Sequence, residues 1–233
     1  LEHFSWIQFV PGVTHETLHI ATGIAAGLLI VAIAFAGRLA LGKGDVAVAP
    51  ASGFSLKGIV EMIVEFIYGL TETVIGHEGP KFAPMFATIF FYILINNLIG
   101  LIPGLTPATD NLNTTLAIGL FTFLVYNFYG IKEHGIAYLK HFLGPIIWLA
   151  FLMAPIEIIS HLMRPLTLGI RLQGNIFADH TVVGVFIDLF RNIWFIPVPA
   201  LFYGLGIFVC FMQAFVFTML SMIYISMAIA HDH

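Results

Sequence analysis

Polar and ionisable side chains concentrate in one stretch of a chain otherwise short of them. Counting from Glu157, they recur at His161, Arg164, Thr167, Arg171, Asn175 and Asp179, which are offsets of 4, 7, 10, 14, 18 and 22 residues. At about 100° per residue these positions keep within roughly one third of a helix circumference. The other faces carry Ile, Leu, Met and Phe. A charge at the centre of a bilayer costs roughly 2.5–3.5 kcal/mol even on lenient insertion scales, so this stripe must face something other than lipid. One face of this helix is therefore an ionisable stripe of carboxylate, imidazole and guanidinium groups.

Glu157 and Arg164 could pair along their own helix and merely hold a bundle together. Arg171 has no such outlet. The acids on its stripe, Glu157 and Asp179, lie fourteen residues before it and eight after it, roughly 21 and 12 Å away at helical rise. Arginine keeps its proton inside proteins. This guanidinium therefore needs an anion from another segment or another subunit. The last apolar block, Pro199 to Ala230, holds no acid and offers only Gln213, Thr218, Ser221 and Tyr224. By elimination the missing carboxylate belongs to another polypeptide in the membrane.

The remaining elements must position that stripe. Of the 233 residues, 59% are hydrophobic and 9% charged, with mean hydropathy +0.98. Soluble domains carry about a quarter charged residues, so a soluble globular protein is excluded. The net charge of −4 gives no basic surface for nucleic acid, and the single Cys210 gives neither a disulfide framework nor a cysteine-built metal site. The first 37 residues lack Lys and Arg, so neither a signal-peptide n-region nor an Arg-rich transit pattern is expected there. A chain opening on Leu1 can lack its true start.

A helix needs about 20 apolar residues to span the hydrocarbon. Spans are expected at 18–41, 82–102 and 112–130, followed by a helical hairpin over 144–230. The segment 146–179 would be roughly 50 Å long as one helix, so it must tilt steeply, break at Pro155 or Pro165, or both. Residues 54–77 read as an interfacial amphipathic helix, with Phe54, Ile59, Ile63, Phe66, Ile67, Leu70 and Val74 opposite Glu61, Glu65, Tyr68 and Glu72. That acidic stripe is either a solvated face or a docking surface for a basic partner. The expected fold is an all-α membrane protein, a single polytopic domain over 1–233 with about five membrane-inserted helices. Lys and Arg in the connections place the N-terminus outside and the C-terminus in the cytoplasm, with Arg191 as the exception.

The segment Pro165-Leu-Thr-Leu-Gly-Ile-Arg171-Leu-Gln-Gly-Asn175-Ile-Phe-Ala-Asp-His180 resembles the signature of subunit a of bacterial F-type ATP synthases. So do Gln213-Ala-Phe-Val-Phe-Thr218, the terminal Tyr224-Ile-Ser-Met, Ile95-Asn-Asn-Leu-Ile-Gly-Leu-Ile-Pro103 and Asn113-Thr-Thr. The likeness runs from about Phe82 to the C-terminus. It implies a proton-translocating stator subunit in the bacterial inner membrane, beside a rotating ring of c subunits and held by peripheral-stalk b subunits. Each c subunit would bring the missing carboxylate. Two offset half-channels would reach it, with Arg171 between them and Gln213 facing Arg171. Asn175 would stand one turn further, and Glu157 on the cytoplasmic exit path. His161 and Thr167 share the stripe. Asp179 and His180 would serve the outer half-channel, because Gly206 leaves the facing helix without a titratable group there, or Asp179 would only line a wet vestibule beside His180. Neither nucleotide nor cofactor is implied for this chain.

Two rivals come from other classes. His15-Glu-Thr-Leu-His19 matches the zinc-protease pattern, but at the water-exposed start of a span and without a clear third ligand. A stand-alone secondary transporter would show internal repeats with paired discontinuous helices, and none is evident. Gly23-Ile-Ala-Ala-Gly27 reads as a small-residue packing stripe.

Overall fold

The computed structural model describes Trp6, Thr14, Tyr138 and residues 17–41, 55–102, 104–135, 150–190 and 198–230. Among these, all regular structure is helical: α1 (Leu18–Leu41), α2 (Leu56–Ile75), α3 (Gly79–Gly100), α4 (Leu112–His134), α5 (Ala150–Phe190) and α6 (Val198–Ile229), with short 3₁₀ turns at Gly76–Glu78 and Ala108–Asp110. Phe54, His15, Glu16 and residues 144–149 lie outside the described residues. Among the described residues four stretches are long and apolar enough to cross a membrane: Leu18–Leu39, Lys57–Gly100, Leu112–His134 and Leu201–Ile229. The chain is an all-α membrane protein. Its helices form two compact units, Leu1–Ala108 and Thr109–His233.

In the first unit α2 and α3 form a hairpin. Ser55 caps α2 by accepting from the Gly58 amide, and Gly76, at φ 81°, ends it. Only glycine adopts that backbone without strain. Gly79 starts α3 so close to α2 that a Cβ there would overlap the Thr71 carbonyl. Ile67 and Thr71 are buried, whereas Ile59 and Phe66 are exposed. The packed face of α2 is thus narrower than the periodicity predicts, because it meets its neighbours along one seam and leaves the rest of its apolar stripe open. The Gly23 stripe is half used. A Cβ at Gly23 would stand 2.8 Å from the Tyr92 hydroxyl, but one at Gly27 would meet nothing within 4 Å.

Among its described residues the second unit packs α4, α5 and α6 together. Asn111 caps α4 through its Oδ1, which accepts from the Asn113 amide at 2.9 Å. α4 extends past the expected end at 130 to His134, and Gly135 at φ 56° terminates it. Of the ways open to the long segment, a steep tilt or a break at Pro155 or Pro165, the break does not occur. α5 runs unbroken for 41 residues with Pro155 and Pro165 inside it, about 61 Å at helical rise. Each proline removes one backbone donor and leaves the helix otherwise continuous. Two glycines let α4 and α5 approach closely. A Cβ at Gly119 would stand 2.6 Å from the Pro165 carbonyl oxygen, and one at Gly169 would stand 2.9 Å from Leu116 Cδ2. α6 buries Ala214, Phe217, Met222 and Ile225. Its Thr218 and Ser221 hydroxyls donate back to their own helix at Ala214 and Phe217, so these two are satisfied within α6.

Candidate functional site

The α5 stripe divides into two parts with different surroundings. Its first part borders a cleft of about 80 Å³ lined by Tyr126, Tyr138, Glu157, His161, Arg164, Tyr224, Met227 and Ala228. His161 is buried, and its Nε2 lies 2.8 Å from Asn127 Oδ1. The Asn127 amide group donates to the Phe123 carbonyl at 2.7 Å, which fixes Oδ1 as the atom facing His161. A carbonyl oxygen only accepts, so Nε2 carries the proton. Tyr138 donates to the same oxygen at 3.2 Å, and the Tyr126 hydroxyl stands 3.3 Å from Nε2. Phe123 and Tyr126 both meet the imidazole edge-on.

Arg164 stands over the Tyr224 ring at 5.3 Å and beside the Tyr126 phenol. The internal pairing open to it on sequence grounds does not form. Among the described residues the ion pairs are Lys57–Glu61 and Lys81–Glu78, and neither Glu157 nor Arg164 takes part in one. Seven residues is two full turns, and Arg164 settles against aromatic side chains instead of reaching toward Glu157. A guanidinium over an aromatic face gains about 0.5–2 kcal/mol.

The second part begins at Thr167, which is exposed and donates to the Arg164 carbonyl at 3.0 Å. Arg171 is exposed, and among the described residues it has no carboxylate within ion-pair distance. One turn on, the Asn175 amide donates to Gln213 Oε1 of α6, and Gln213 is 95% buried. The Gln213 acceptor thus points to Asn175, and no hydrogen bond joins it to Arg171. Asp179 is half-buried, close enough to Cys210 of α6 for its charge to act on the thiol. His180 lies in the helix, its side chain outside the described residues. No three His, Cys, Asp or Glu side chains converge among the described residues.

Several contributors escape sequence reasoning. Tyr126, Asn127 and Tyr138 sit 35, 34 and 23 residues before His161 with nothing in their spacing to join them to it. An asparagine inside an apolar span was the available signal. Gln173, off the stripe, donates to the Asp110 carbonyl at 3.1 Å and ties α5 to the turn before α4.

Comparison with known proteins supplies the family. The model of the family described as "ATP synthase A chain" matches residues 19–226. The chain is 56% identical over 231 residues to "ATP synthase subunit a" of Bdellovibrio bacteriovorus, covering 99% of each. It is 40% identical over 225 residues to "ATP synthase subunit a 2" of Syntrophotalea carbinolica, covering 97% of this chain and 88% of that one. With "ATP synthase subunit a" of Geobacter sulfurreducens it shares 40% over 178 residues, 76% of each.

Proposed function

The chain belongs to the ATP synthase A chain family, and from that premise we propose that Arg171 separates two offset proton half-channels against a ring of c subunits. The protein is a multi-pass membrane subunit of the F-type ATP synthase stator. Family membership leaves no observation in favour of a stand-alone carrier or a zinc protease. In this reading the complex sits in the bacterial inner membrane, with the N-terminus outside and b subunits holding the chain in place. Nucleotide chemistry belongs to other subunits.

The observation that carries the reading is the exposed Arg171, which lacks an acid among the described residues yet cannot discharge itself. A ring carboxylate arriving within ~4–6 Å of it is driven to ionise, since an opposite charge lowers such a pKa by about 1–3 units. Transfer of that carboxylate into lipid penalises the charged form and favours taking up a proton. Alternation between the two environments drives net transport. The fixed guanidinium also blocks a direct leak between the half-channels. The Asn175–Gln213 bond holds α6 beside this point without neutralising Arg171, because both groups are neutral amides.

Glu157 and His161, in the cleft two turns and more before Arg171, belong to the inner half-channel. Asp179 and His180, beyond Asn175, belong to the outer one. At about 61 Å, α5 is roughly twice the hydrocarbon thickness, which supports a strongly tilted course around the ring. The test is ATP-driven proton pumping in inverted membrane vesicles. Arg171→Ala should assemble and fail to pump. Wild-type pumping by that variant overturns the reading.

A further inference from the structure

From residue 151 to residue 167, His161 is the only buried residue of α5 within this chain. Its imidazole is the one side chain of that stretch which the neighbouring helices enclose, and an asparagine holds it. The Asn127 amide nitrogen donates to the Phe123 carbonyl of its own helix at 2.7 Å. Its Oδ1 accepts from His161 Nε2 at 2.8 Å and from the Tyr138 hydroxyl at 3.2 Å. A carbonyl oxygen has two lone pairs, so both are engaged. Phe123 and Tyr126 meet the imidazole edge-on, with centroids 5.1 and 5.2 Å away, and fix its plane. Turning the ring would break the bond to Oδ1 and leave a buried donor unpaired. The approach of Gly119 to the Pro165 carbonyl sets how near α4 and α5 lie. A glycine has no side chain to set how α5 is turned about its axis, and the Asn127–His161 bond does that.

We propose that Asn127 and His161 are positioning residues: they form a neutral clamp that keeps the Glu157 face of α5 turned into the cleft, and Glu157, not His161, carries the protons. Glu157 stands one turn before His161 on the same face, and both line the cleft. A histidine passes protons on when one ring nitrogen takes a proton and the other gives its own away. Here Nε2 gives onto an amide oxygen, which does not keep a proton and has both lone pairs engaged. The Tyr126 hydroxyl, 3.3 Å from Nε2, is no better outlet. The groups facing His161 are Tyr126 and Asn127 on α4, Tyr138 beyond it, Glu157 and Arg164 on α5 and Tyr224 on α6. Phenols and guanidinium keep their protons near neutral pH, which leaves Glu157 as the group able to exchange one.

The inference rests on the cleft being part of the inner half-channel, and the experiment separates the two. ATP-driven pumping by the whole complex in inverted vesicles is followed across pH, with assembly checked for each variant. A glutamine sets an amide N–H where Nε2–H stands and does not titrate. His161→Gln should therefore keep most of the pumping and the shape of the pH profile, whereas His161→Leu, which has no donor, should lose severalfold. Asn127→Leu should lose as much. The double variant Asn127→Leu, His161→Leu should lose no more than either, since both break one contact. Glu157→Gln should lose more than His161→Gln. In complex labelled with ¹⁵N-histidine, the His161 signal, assigned by its disappearance in His161→Gln, should show the neutral Nε2–H form wherever the complex pumps. Equal losses in His161→Gln and His161→Leu, a pH profile that loses a limb in His161→Gln, or an imidazolium signal in the pumping range makes His161 a carrier and overturns the inference. Wild-type pumping by His161→Leu overturns it as well. Should the leucine variants fail to assemble, His161→Gln and the ¹⁵N signal still decide. Wild-type pumping by Glu157→Gln takes the cleft off the proton path, and the inference falls with that placement. If Arg171→Ala fails to pump while His161 proves a carrier, the inference falls and the function stands.

Discussion

Arg164 and Arg171 occupy the same stripe of one helix, seven residues apart, yet the chain treats them differently. Arg164 is half-buried, stands over one tyrosine and lies beside another. Arg171 is exposed and has no side-chain partner of its own among the described residues. The local sequence does not cause the contrast, since both are flanked by apolar residues. It comes from what the neighbouring helices bring alongside: aromatic rings beside the first, and only a glutamine already held by Asn175 beyond the second. A chain that provides for one guanidinium and leaves the next bare has built one charge into itself and turned the other outward.

The sharpest break in that comparison is chemical. Arg171→Lys should lose pumping at least tenfold, because an ammonium lacks the planar fork and releases its proton when desolvated. Arg164→Lys should keep most of it. Comparable losses in vesicle pumping assays would erase the distinction. Next in size, the Asp179→Asn, His180→Ala double variant should lose most proton flux while the ring stays attached and passive leak stays low. Wild-type flux at every pH would move the outer inlet elsewhere.

Packing changes should cost less. Gly119→Val pushes side-chain atoms into the Pro165 carbonyl and should destabilise the second unit by about 1–3 kcal/mol, seen as a lower melting temperature of the purified complex. Smaller still, a double-mutant cycle on Asn175→Leu and Gln213→Leu should give a coupling of about 0.6 kcal/mol, the average for interhelical hydrogen bonds in membranes. Zero coupling would mean that the amide bond does not help to hold α6 against α5.

The smallest effect is alkaline. Burial pushes the Tyr138 phenol above its ordinary value. Its stabilising contribution is therefore complete below about pH 10 and is lost as pH rises toward the folded value. Tyr138→Phe should flatten that part of the stability-against-pH curve, and an unchanged curve would assign the loss to other groups.

Much of the second unit was legible because polar spacing on an apolar helix is a strong signal. The stripe from Glu157 to Asp179 announced one continuous face, and Arg171 announced a charge that its own helix does not neutralise. Its inner cleft was not legible. His161 gave no hint of Asn127 or Tyr138, because those meetings depend on how α4 lies against α5, and that is set by Gly119 and Gly169. A glycine states what it permits and not what arrives. α2 shows the converse limit. Its periodicity marked an apolar face correctly as a pattern, yet Ile59 and Phe66 are exposed, since periodicity cannot say how wide a seam the neighbours will cover.

The two glycines also have a mechanical meaning. A stator feels the reaction to every step of its rotor, and a helix of 41 residues loaded from one side would bend like an unsupported rod. Where side chains separate two helices, a sideways force is first absorbed by rotamer shifts. At Gly119 and Gly169 that soft layer is missing, and α4 and α5 meet almost backbone to backbone. Force applied near Arg171 thus passes into α4 within a turn or so, with little slack, and the guanidinium holds its position under load.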